Sequence, residues 1–371
     1  MTRHPIAGSS LAQAAVATLL LLAAAACSAT SLPPAKTRSA ASAPPTASTP
    51  STSSGSASGT GSPYSAGGKP SGCGTRAIKV ATAGELQAAL AAARPGATIQ
   101  LAAGTYQGDF TATSSGTRAA PITLCGNRKA VIEGESVTHG YALYLDRASW
   151  WRLAGFSVTG GQKGVVADGV THDLVDGLYV HGTGDEGIHL RSFSSHNAVV
   201  GNIVRDTGRH VQFFGEGIYI GSAHSNWCRY TKCRPDASNY NVVADNNIAD
   251  TTAESIDIKE GTTGGRIIGN RLSGTGMVPS AATAWVNVKG NDWKILDNTG
   301  MDSPGDGFQV HQVYPGWGVG NVFRDNTAAI HGSGYGIYVQ SHDLRTIVAC
   351  NNVITGAGGH LSNLSCSDNY S

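Results

Sequence analysis

The amino-acid sequence predicts an all-β protein: one right-handed parallel β-helix, a single-stranded solenoid that opens with an amphipathic capping helix. The first observation is a five-residue frame whose second and fourth positions are aliphatic or aromatic, apart from the small Ala167. Such alternation puts one side of a short strand in a core and the other side in water. The frame recurs as GVVAD from Gly164, GIHLR from Gly187, GIYIG from Gly217, SIDIK from Ser255, WVNVK from Trp285, GFQVH from Gly307 and GIYVQ from Gly336.

The second observation is a Gly or Asn marker at the turn after another strand. Successive markers lie 22 to 28 residues apart, except for one interval of 45 that holds an insertion at 222–239. Both residue types tolerate left-handed backbone, so we expect one turn per coil to bend alike, with Asn side chains stacked along the axis. A β-propeller would need blades of about 40 residues. The markers are Gly155, Gly177, Asn202, Asn247, Asn270, Asn298, Asn326 and Asn352.

The composition is the third observation. The 371 residues include 49 glycines, and only 14% are charged, which suits many short strands joined by tight turns. The net charge of +1 and the lack of a basic stripe argue against nucleic acid as a partner.

The first 72 residues are predicted to lie outside the folded domain. Residues 1–27 have the features of an export signal, in which Arg3 and His4 precede an apolar run too short for a secure membrane span. The run ends in small residues followed by Cys27, a pattern that resembles a lipoprotein cleavage box with Cys27 as the lipidated residue. The alternative is ordinary signal cleavage nearby and a freely secreted protein. Residues 28–72 are a flexible Ser/Thr/Pro/Ala linker. We therefore expect an extracellular or cell-envelope monomer, bound to membrane only through that anchor.

The solenoid domain is predicted to span 73–371. Its six cysteines favour disulfides in an exported chain. Nearness in sequence suggests Cys228–Cys233 and Cys350–Cys366, which leaves Cys73–Cys125, although fifteen pairings are formally possible.

The capping helix is predicted from a capping box and an apolar stripe. Thr82 and Glu85 form the box, and Pro95-Gly96 ends the helix before TIQLAAGTY returns as a strand. A lid is expected because an open parallel edge invites aggregation. The stripe consists of Leu86, Ala89, Leu90 and Ala93.

The opening of the domain resembles a known superfamily. An ELQAAL helix, then PGATIQLAAGTY, then SGTRAAPITLCG, followed by the coils, is similar to the pectin-lyase-like right-handed β-helix polysaccharide lyases. More narrowly, the chain resembles secreted bacterial proteins related to the chondroitinase B/alginate lyase family and the lysine-dependent pectate lyases. The resemblance covers nearly all of 73–371.

The outward side chains of the frame form a grid. Neighbouring coils lie about 4.8 Å apart and alternate residues about 6.6 Å apart. The residues just before the strand on five successive coils are Glu186, Glu216, Glu254, Ala284 and Asp306. The residues at the third position of the frame are His189, Tyr219, Asp257, Asn287 and Gln309. The residues at the fifth position are Arg191, Gly221, Lys259, Lys289 and His311.

Acids and bases converge in the middle of this grid. Glu216, Glu254 and Asp257 would supply hard oxygens for Ca²⁺, and without a cation they would raise one another's pKa. Lys259 and Lys289, on adjacent coils, would disfavour each other's protonation and so lower one pKa toward that of a general base.

Other grid residues are candidates for substrate contacts, and His311 is a candidate acid or base. In the insertion, Trp227 and Tyr230 would wall a groove. The alternative to a functional site is an ordinary solvated sheet face with alternating salt bridges. The predicted substrate-binding residues are Tyr219, Asn287, Gln309, Trp285 and Asp306.

The resemblance implies β-elimination on a uronic-acid polymer such as pectate or alginate. In lysine-dependent pectate lyases the metal acids precede the base by about one coil, as Glu254 and Asp257 precede Lys289. Chondroitinase B-like enzymes carry two Glu and the base lysine on one coil and Arg on the next. This chain departs from that pattern, because the second Glu is Asp257, Lys259 follows it too closely, and Lys289 stands where Arg would be. Either lysine is therefore a candidate base. The alternatives are a glycoside hydrolase, an epimerase using His311, and a non-catalytic carbohydrate-binding protein.

Overall fold

A computed structural model describes residues 73–74 and 76–368. The predicted signal, Cys27 and the linker lie outside the described residues.

The helices are α1 (Ala83–Ala92) and α2 (Trp227–Tyr230), with 3₁₀ turns at Gln212–Phe214, His224–Asn226 and His342–Leu344. The strands are β1 (Ile78–Val80), β2 (Thr98–Leu101), β3 (Gly104–Gln107), β4 (Phe110–Ala112), β5 (Ile122–Cys125), β6 (Ala130–Glu133), β7 (Tyr141–Asp146), β8 (Trp151–Ala154), β9 (Ser157–Thr159), β10 (Lys163–Asp168), β11 (Leu174–Asp176), β12 (Tyr179–His181), β13 (Ile188–Arg191), β14 (Ala198–Val200), β15 (Ile203–Arg205), β16 (Ile218–Ile220), β17 (Val242–Ala244), β18 (Asn247–Ile248), β19 (Ile256–Ile258), β20 (Arg266–Ile268), β21 (Arg271–Ser273), β22 (Val286–Val288), β23 (Lys294–Leu296), β24 (Thr299–Met301), β25 (Phe308–Val310), β26 (Val322–Arg324), β27 (Thr327–Gly332), β28 (Ile337–Val339), β29 (Ile347–Val348) and β30 (Val353–Ala357).

The strands stack into three parallel sheets, each built from one strand per coil. Sheet A runs β1-β2-β5-β8-β11-β14-β17-β20-β23-β26-β29, and sheet B runs β3-β6-β9-β12-β15-β18-β21-β24-β27-β30. Sheet C runs β4-β7-β10-β13-β16-β19-β22-β25-β28. The predicted parallel β-helix is confirmed.

The five-residue frame forms seven consecutive strands of sheet C in the predicted register. Ile218 of β16 pairs with Ile256 of β19, which pairs with Val286 of β22. These inward residues are fully buried in one core that runs along the solenoid. Each such side chain contributes about 1.5–3 kcal/mol on burial.

The Asn stack forms one residue earlier than predicted in one coil. The ladder contains Asn246, whereas Asn247 is exposed in β18, so that assignment is wrong. The left-handed residues are the ones just before the ladder, such as Asp245 (φ 54°) and Gly269 (φ 67°). From Asn246 onward, each Asn Oδ1 accepts from the backbone N–H and Nδ2 of the preceding coil's Asn at 2.9–3.0 Å. The ladder is Asn202, Asn246, Asn270, Asn298, Asn326 and Asn352.

The three suggested disulfides are present. They join Cys73 to Cys125, Cys228 to Cys233 and Cys350 to Cys366. 

Helix α1 begins at the capping box. Thr82 Oγ1 accepts from the Glu85 backbone N–H at 3.2 Å, and the Glu85 carboxylate accepts from that of Thr82 at 3.2 Å. The helix packs on β1–β4, and its action as a lid stays a prediction. Across 73–74 and 76–368, no helix combines the length and apolar character that a membrane crossing requires.

The insertion after β16 is fastened to the neighbouring coil. The Asp236 carboxylate, fully buried, accepts from the backbone N–H groups of Ser192 (2.9 Å) and Phe193 (2.8 Å). This bonding fixes the insertion beside the outer face of sheet C.

Candidate active site

The outer face of sheet C brings the predicted acids together. Carboxylate oxygens of Glu216, Glu254 and Asp257 lie within 4.8 Å of one another, and all three residues are buried. Register explains this meeting, because Tyr219 of β16 pairs with Asp257 of β19, which pairs with Asn287 of β22.

Asp257 lies between the two predicted lysines. Its Oδ2 is 2.7 Å from Lys259 Nζ, and its Oδ1 contacts Lys289 Nζ. Burial would raise the pKa of Asp257, but the two ammonium groups hold it below its usual value. Burial likewise would lower the pKa of Lys259, yet Asp257, Tyr219 and Glu216 raise it well above its ordinary value.

The sequence predicted that the two adjacent ammonium groups would lower the pKa of one lysine. For Lys259 the opposite direction holds, because the carboxylate of Asp257 lies beside its ammonium group and favours the charged form.

Glu216 is the least compensated acid of the cluster. Burial raises its pKa well above the usual value, and the charges of Glu186, Glu254 and Asp257 raise it further. Its Oε2 is buried and has no hydrogen-bond partner among the described residues. By contrast, Glu254 Oε1 accepts from Asn287 Nδ2 at 3.0 Å.

The three carboxylates fit a hard divalent cation. They offer several oxygens within reach of one ion, which is the donor set that Ca²⁺ prefers. The orphaned Oε2 of Glu216 supports the fit, since a buried acceptor without a partner is costly. Glu216, Glu254 and Asp257 are the residues that would hold it.

Tyr219 lies between two charged neighbourhoods. Its ring centroid is 4.9 Å from Lys259 Nζ and 4.3 Å from the ring of His189. Burial raises the pKa of Tyr219 well above its ordinary value; Lys259 opposes that shift, and the nearby acids add to it. The hydroxyl is therefore a proton donor at neutral pH.

A further ion cluster lies one coil before Tyr219. Lys163 contacts the buried Glu186, whose Oε1 is 3.3 Å from His189 Nδ1, and His189 Nε2 bonds the Gly221 carbonyl at 2.9 Å. Burial would raise the pKa of Glu186, but His189 and Lys163 lower it to about 2. Lys163 precedes the frame at Gly164, a position that the sequence pattern did not mark.

The remaining grid residues form hydrogen bonds along the same face. His311 Nδ1 is 2.9 Å from Asn287 Oδ1, and Gln309 Nε2 donates to Asp306 Oδ2 at 2.7 Å. Burial and the charge of Lys289 lower the pKa of His311, which favours neutral imidazole.

Trp285 is not on this face, and its predicted substrate contact is wrong. The residue is fully buried, and its indole Nε1 donates to the Met301 carbonyl at 3.0 Å. The ring turns inward because Gly300 and Gly307 leave room that a Cβ would fill.

The insertion residues differ in exposure. Trp227 is only 5% exposed, and its Nε1 donates to the Ser222 carbonyl at 3.0 Å. Tyr230 lies over Arg191, whose guanidinium is 4.2 Å from the Tyr230 ring centroid and is paired with Asp168. Arg191 therefore has a structural role.

The comparisons that give matches are those with solved structures. No family model matches the chain, and no curated protein matches it. Among solved structures, pectate lyase Pel9A is 16% identical with a TM-score of 0.54, covering 76% of this chain and 75% of that one, which shows a shared fold alone.

An alginate lyase from Paenibacillus sp. strain FPU-7 is much more similar. Its TM-score is 0.73 at 35% identity, and the match covers 79% of this chain and 100% of that chain. The resemblance seen in the opening motif and the coils is confirmed. The chain belongs to the family of parallel β-helix polysaccharide lyases that includes this alginate lyase.

Proposed function

We propose that the protein cleaves a uronic-acid polysaccharide, alginate first, by β-elimination on the outer face of sheet C. The observation that carries the proposal is the juxtaposition of Lys259, Tyr219 and the three-carboxylate cluster. The similar Paenibacillus enzyme is an alginate lyase. Action on an extracellular polymer agrees with the predicted export signal.

Lys259 is the proposed base. It borders Tyr219, and its side chain is 16% exposed against 9% for Lys289, so it is the more accessible lysine. As neutral amine it would take the C5 proton of the uronate while the C4–O bond breaks and a C4–C5 double bond forms. Its raised pKa means that the reactive amine is scarce at neutral pH and grows more abundant as pH rises.

Tyr219 is the proposed acid. Its hydroxyl keeps its proton at neutral pH, because burial raises its pKa. It would give that proton to the departing glycosidic oxygen, so that acid and base stand side by side.

Charge on the sugar carboxylate must be offset for the C5 proton to leave. Lys289, held by Asp257, would contribute one positive charge. A Ca²⁺ bound by Glu216, Glu254 and Asp257 would neutralise the carboxylate and acidify the C5 proton. Asn287, Gln309 and His311 would hold hydroxyls along the chain.

A glycoside hydrolase is less well supported by the contacts. Hydrolysis needs a carboxyl pair flanking the scissile bond. On this face the partner of Glu254 in such a pair would be Asp306, which already accepts from Tyr335 N–H (2.6 Å) and Gln309 Nε2 (2.7 Å).

The test is an assay of the purified full-length chain on polymannuronate, polyguluronate, pectate and glucuronan, with Ca²⁺ or with chelator. We expect new ultraviolet absorbance from unsaturated uronate ends on alginate blocks. Reducing ends without that absorbance would indicate hydrolysis, and changed uronate composition at constant chain length would indicate epimerisation. Either result rejects the lyase proposal.

A further inference from the structure

A carboxylate–imidazole pair lies at one edge of the outer face of sheet C. Glu260 Oε1 accepts from the backbone N–H of His224 at 2.6 Å and lies 2.8 Å from His224 Nδ1. Glu260 is 1% exposed, whereas the side chain of His224 is 44% exposed. A buried anion therefore anchors a ring that faces solvent.

The pair fixes the state of the imidazole. Glu260 can only accept, so Nδ1 carries the proton, and Nε2 is the ring nitrogen left for a ligand. A second proton on Nε2 gives an imidazolium whose charge Glu260 offsets. The ring is then a cationic donor held in one orientation.

Backbone register places the pair beside the reaction centre. Glu260 follows Lys259 directly, and His224 lies three residues after Gly221, the equivalent position of the previous coil. The Lys259 N–H donates to the Ile220 carbonyl at 2.9 Å, which keeps the two coils aligned there.

An aromatic wall completes this edge. The Tyr314 ring centroid is 5.2 Å from that of His224 and 5.1 Å from that of Trp227. Tyr314 is 40% exposed and follows His311 of the β25 coil, so the wall reaches past the coils of Lys259 and Lys289.

We propose that His224, positioned by Glu260, and Tyr314 form a substrate subsite next to the cleaved bond. This inference rests on the proposed uronan lyase function. The imidazolium of His224 pairs with the carboxylate of a neighbouring uronate, and the exposed face of Tyr314 packs on a pyranose ring. The subsite selects charged sugars over neutral ones.

Three elements pack against His224: Glu260 from the segment after β19, Trp227 from α2 and Tyr314 from the loop after β25.

The test compares KM and kcat for His224→Gln, His224→Lys and Tyr314→Ala. We expect KM to rise about tenfold for His224→Gln, the loss of one charge-assisted hydrogen bond, with kcat within about twofold. His224→Lys should restore the low KM, a rescue that a purely structural role would not give. Tyr314→Ala should raise KM about fivefold.

His331→Gln is the matched control. His331 Nδ1 lies 2.8 Å from Asp302 Oδ1, the same kind of pair, but on β27 of sheet B. Its KM should stay at the wild-type value. Unchanged KM in His224→Gln, or no rescue by lysine in a folded variant, overturns the subsite.

Separate measurements of cleavage and of binding distinguish the loss of the lyase proposal from the loss of the His224 subsite. If the wild type cleaves no uronan, the lyase proposal fails, and affinity electrophoresis in gels containing alginate tests binding alone. Retardation of the wild type that is lost in His224→Gln supports the subsite. Equal mobility of the two proteins overturns it.

Discussion

The Asn ladder and the outer acid cluster are both stacks of polar side chains on neighbouring coils. In the ladder, Asn270 Oδ1 accepts two hydrogen bonds from Asn246, while its Nδ2 donates to the Val243 carbonyl and to Asn298. In the cluster, Glu216 Oε2 is buried without a partner among the described residues, beside other acids.

The difference lies in what each stack needs from outside. Neutral amides satisfy one another, so repetition adds stability at every coil. Carboxylates on adjacent coils repel, and a buried one without a donor destabilises the fold unless a proton or a cation joins it. The same parallel register thus builds a structural spine where partners match and a site for a ligand where they do not.

Replacing either lysine of the outer acid cluster should impair catalysis. Lys259→Ala should lower kcat about 10³-fold, since general base catalysis contributes roughly 10²–10⁴-fold. Lys289→Ala should mainly raise KM, by about tenfold, because it loses a charge to the sugar carboxylate. Lys294→Ala, at an exposed position of β23 in sheet A, is the control. Steady-state kinetics on alginate measure all three.

The wild type should also show rising activity with pH. Because the pKa of Lys259 is raised, the fraction of neutral amine grows about tenfold per pH unit while the lysine stays mostly protonated. Lys259→Ala should flatten that rise. Near-native turnover in both lysine variants would reject lysine catalysis altogether.

A substitution in the Asn ladder should lower the free energy of unfolding and leave turnover unchanged. Asn270→Ala leaves donors of Asn246 and the Val243 carbonyl without partners, so we expect a loss of about 3 kcal/mol in unfolding free energy. Asn247→Ala is the control, since the exposed side chain of Asn247 accepts from Arg205 at the surface. Denaturant unfolding measures both. Equal losses in the two variants would contradict the ladder.

The regular elements were predictable because their sequence period equals their structural period. Alternation fixed which side chains of β16, β19 and β22 face outward, and hence that Glu216, Glu254 and Asp257 meet. The ladder was misplaced by one residue because Asp245, Asn246 and Asn247 all tolerate left-handed backbone, and only hydrogen bonding selects among them.

What the sequence could not reveal depends on distances across coils. The pKa of Lys259 follows from Asp257 standing between two ammonium groups, which register alone does not specify. The pair of His224 and Glu260 joins residues separated by 36 positions through an irregular insertion, where no periodic pattern indicates a contact.

The unpaired carboxylate of Glu216 should make the stability of the protein depend on pH and on Ca²⁺. The folded pKa of Glu216 lies above its unfolded value, so its contribution to stability is present below the unfolded pKa and is lost as pH rises through the folded one. Glu216→Gln cannot ionise and should therefore be more stable than wild type at pH 8 in chelator, by about 2 °C in Tm per kcal/mol regained.

Ca²⁺ should stabilise the wild type, by about 2.7 kcal/mol at one hundred times Kd, and the variant much less. Glu135→Gln, at an exposed position, should change neither quantity. A Glu216→Gln protein that melts lower in chelator and still gains fully from Ca²⁺ would mean that the orphaned carboxylate is neither strained nor a ligand, and that the cluster is as self-sufficient as the ladder.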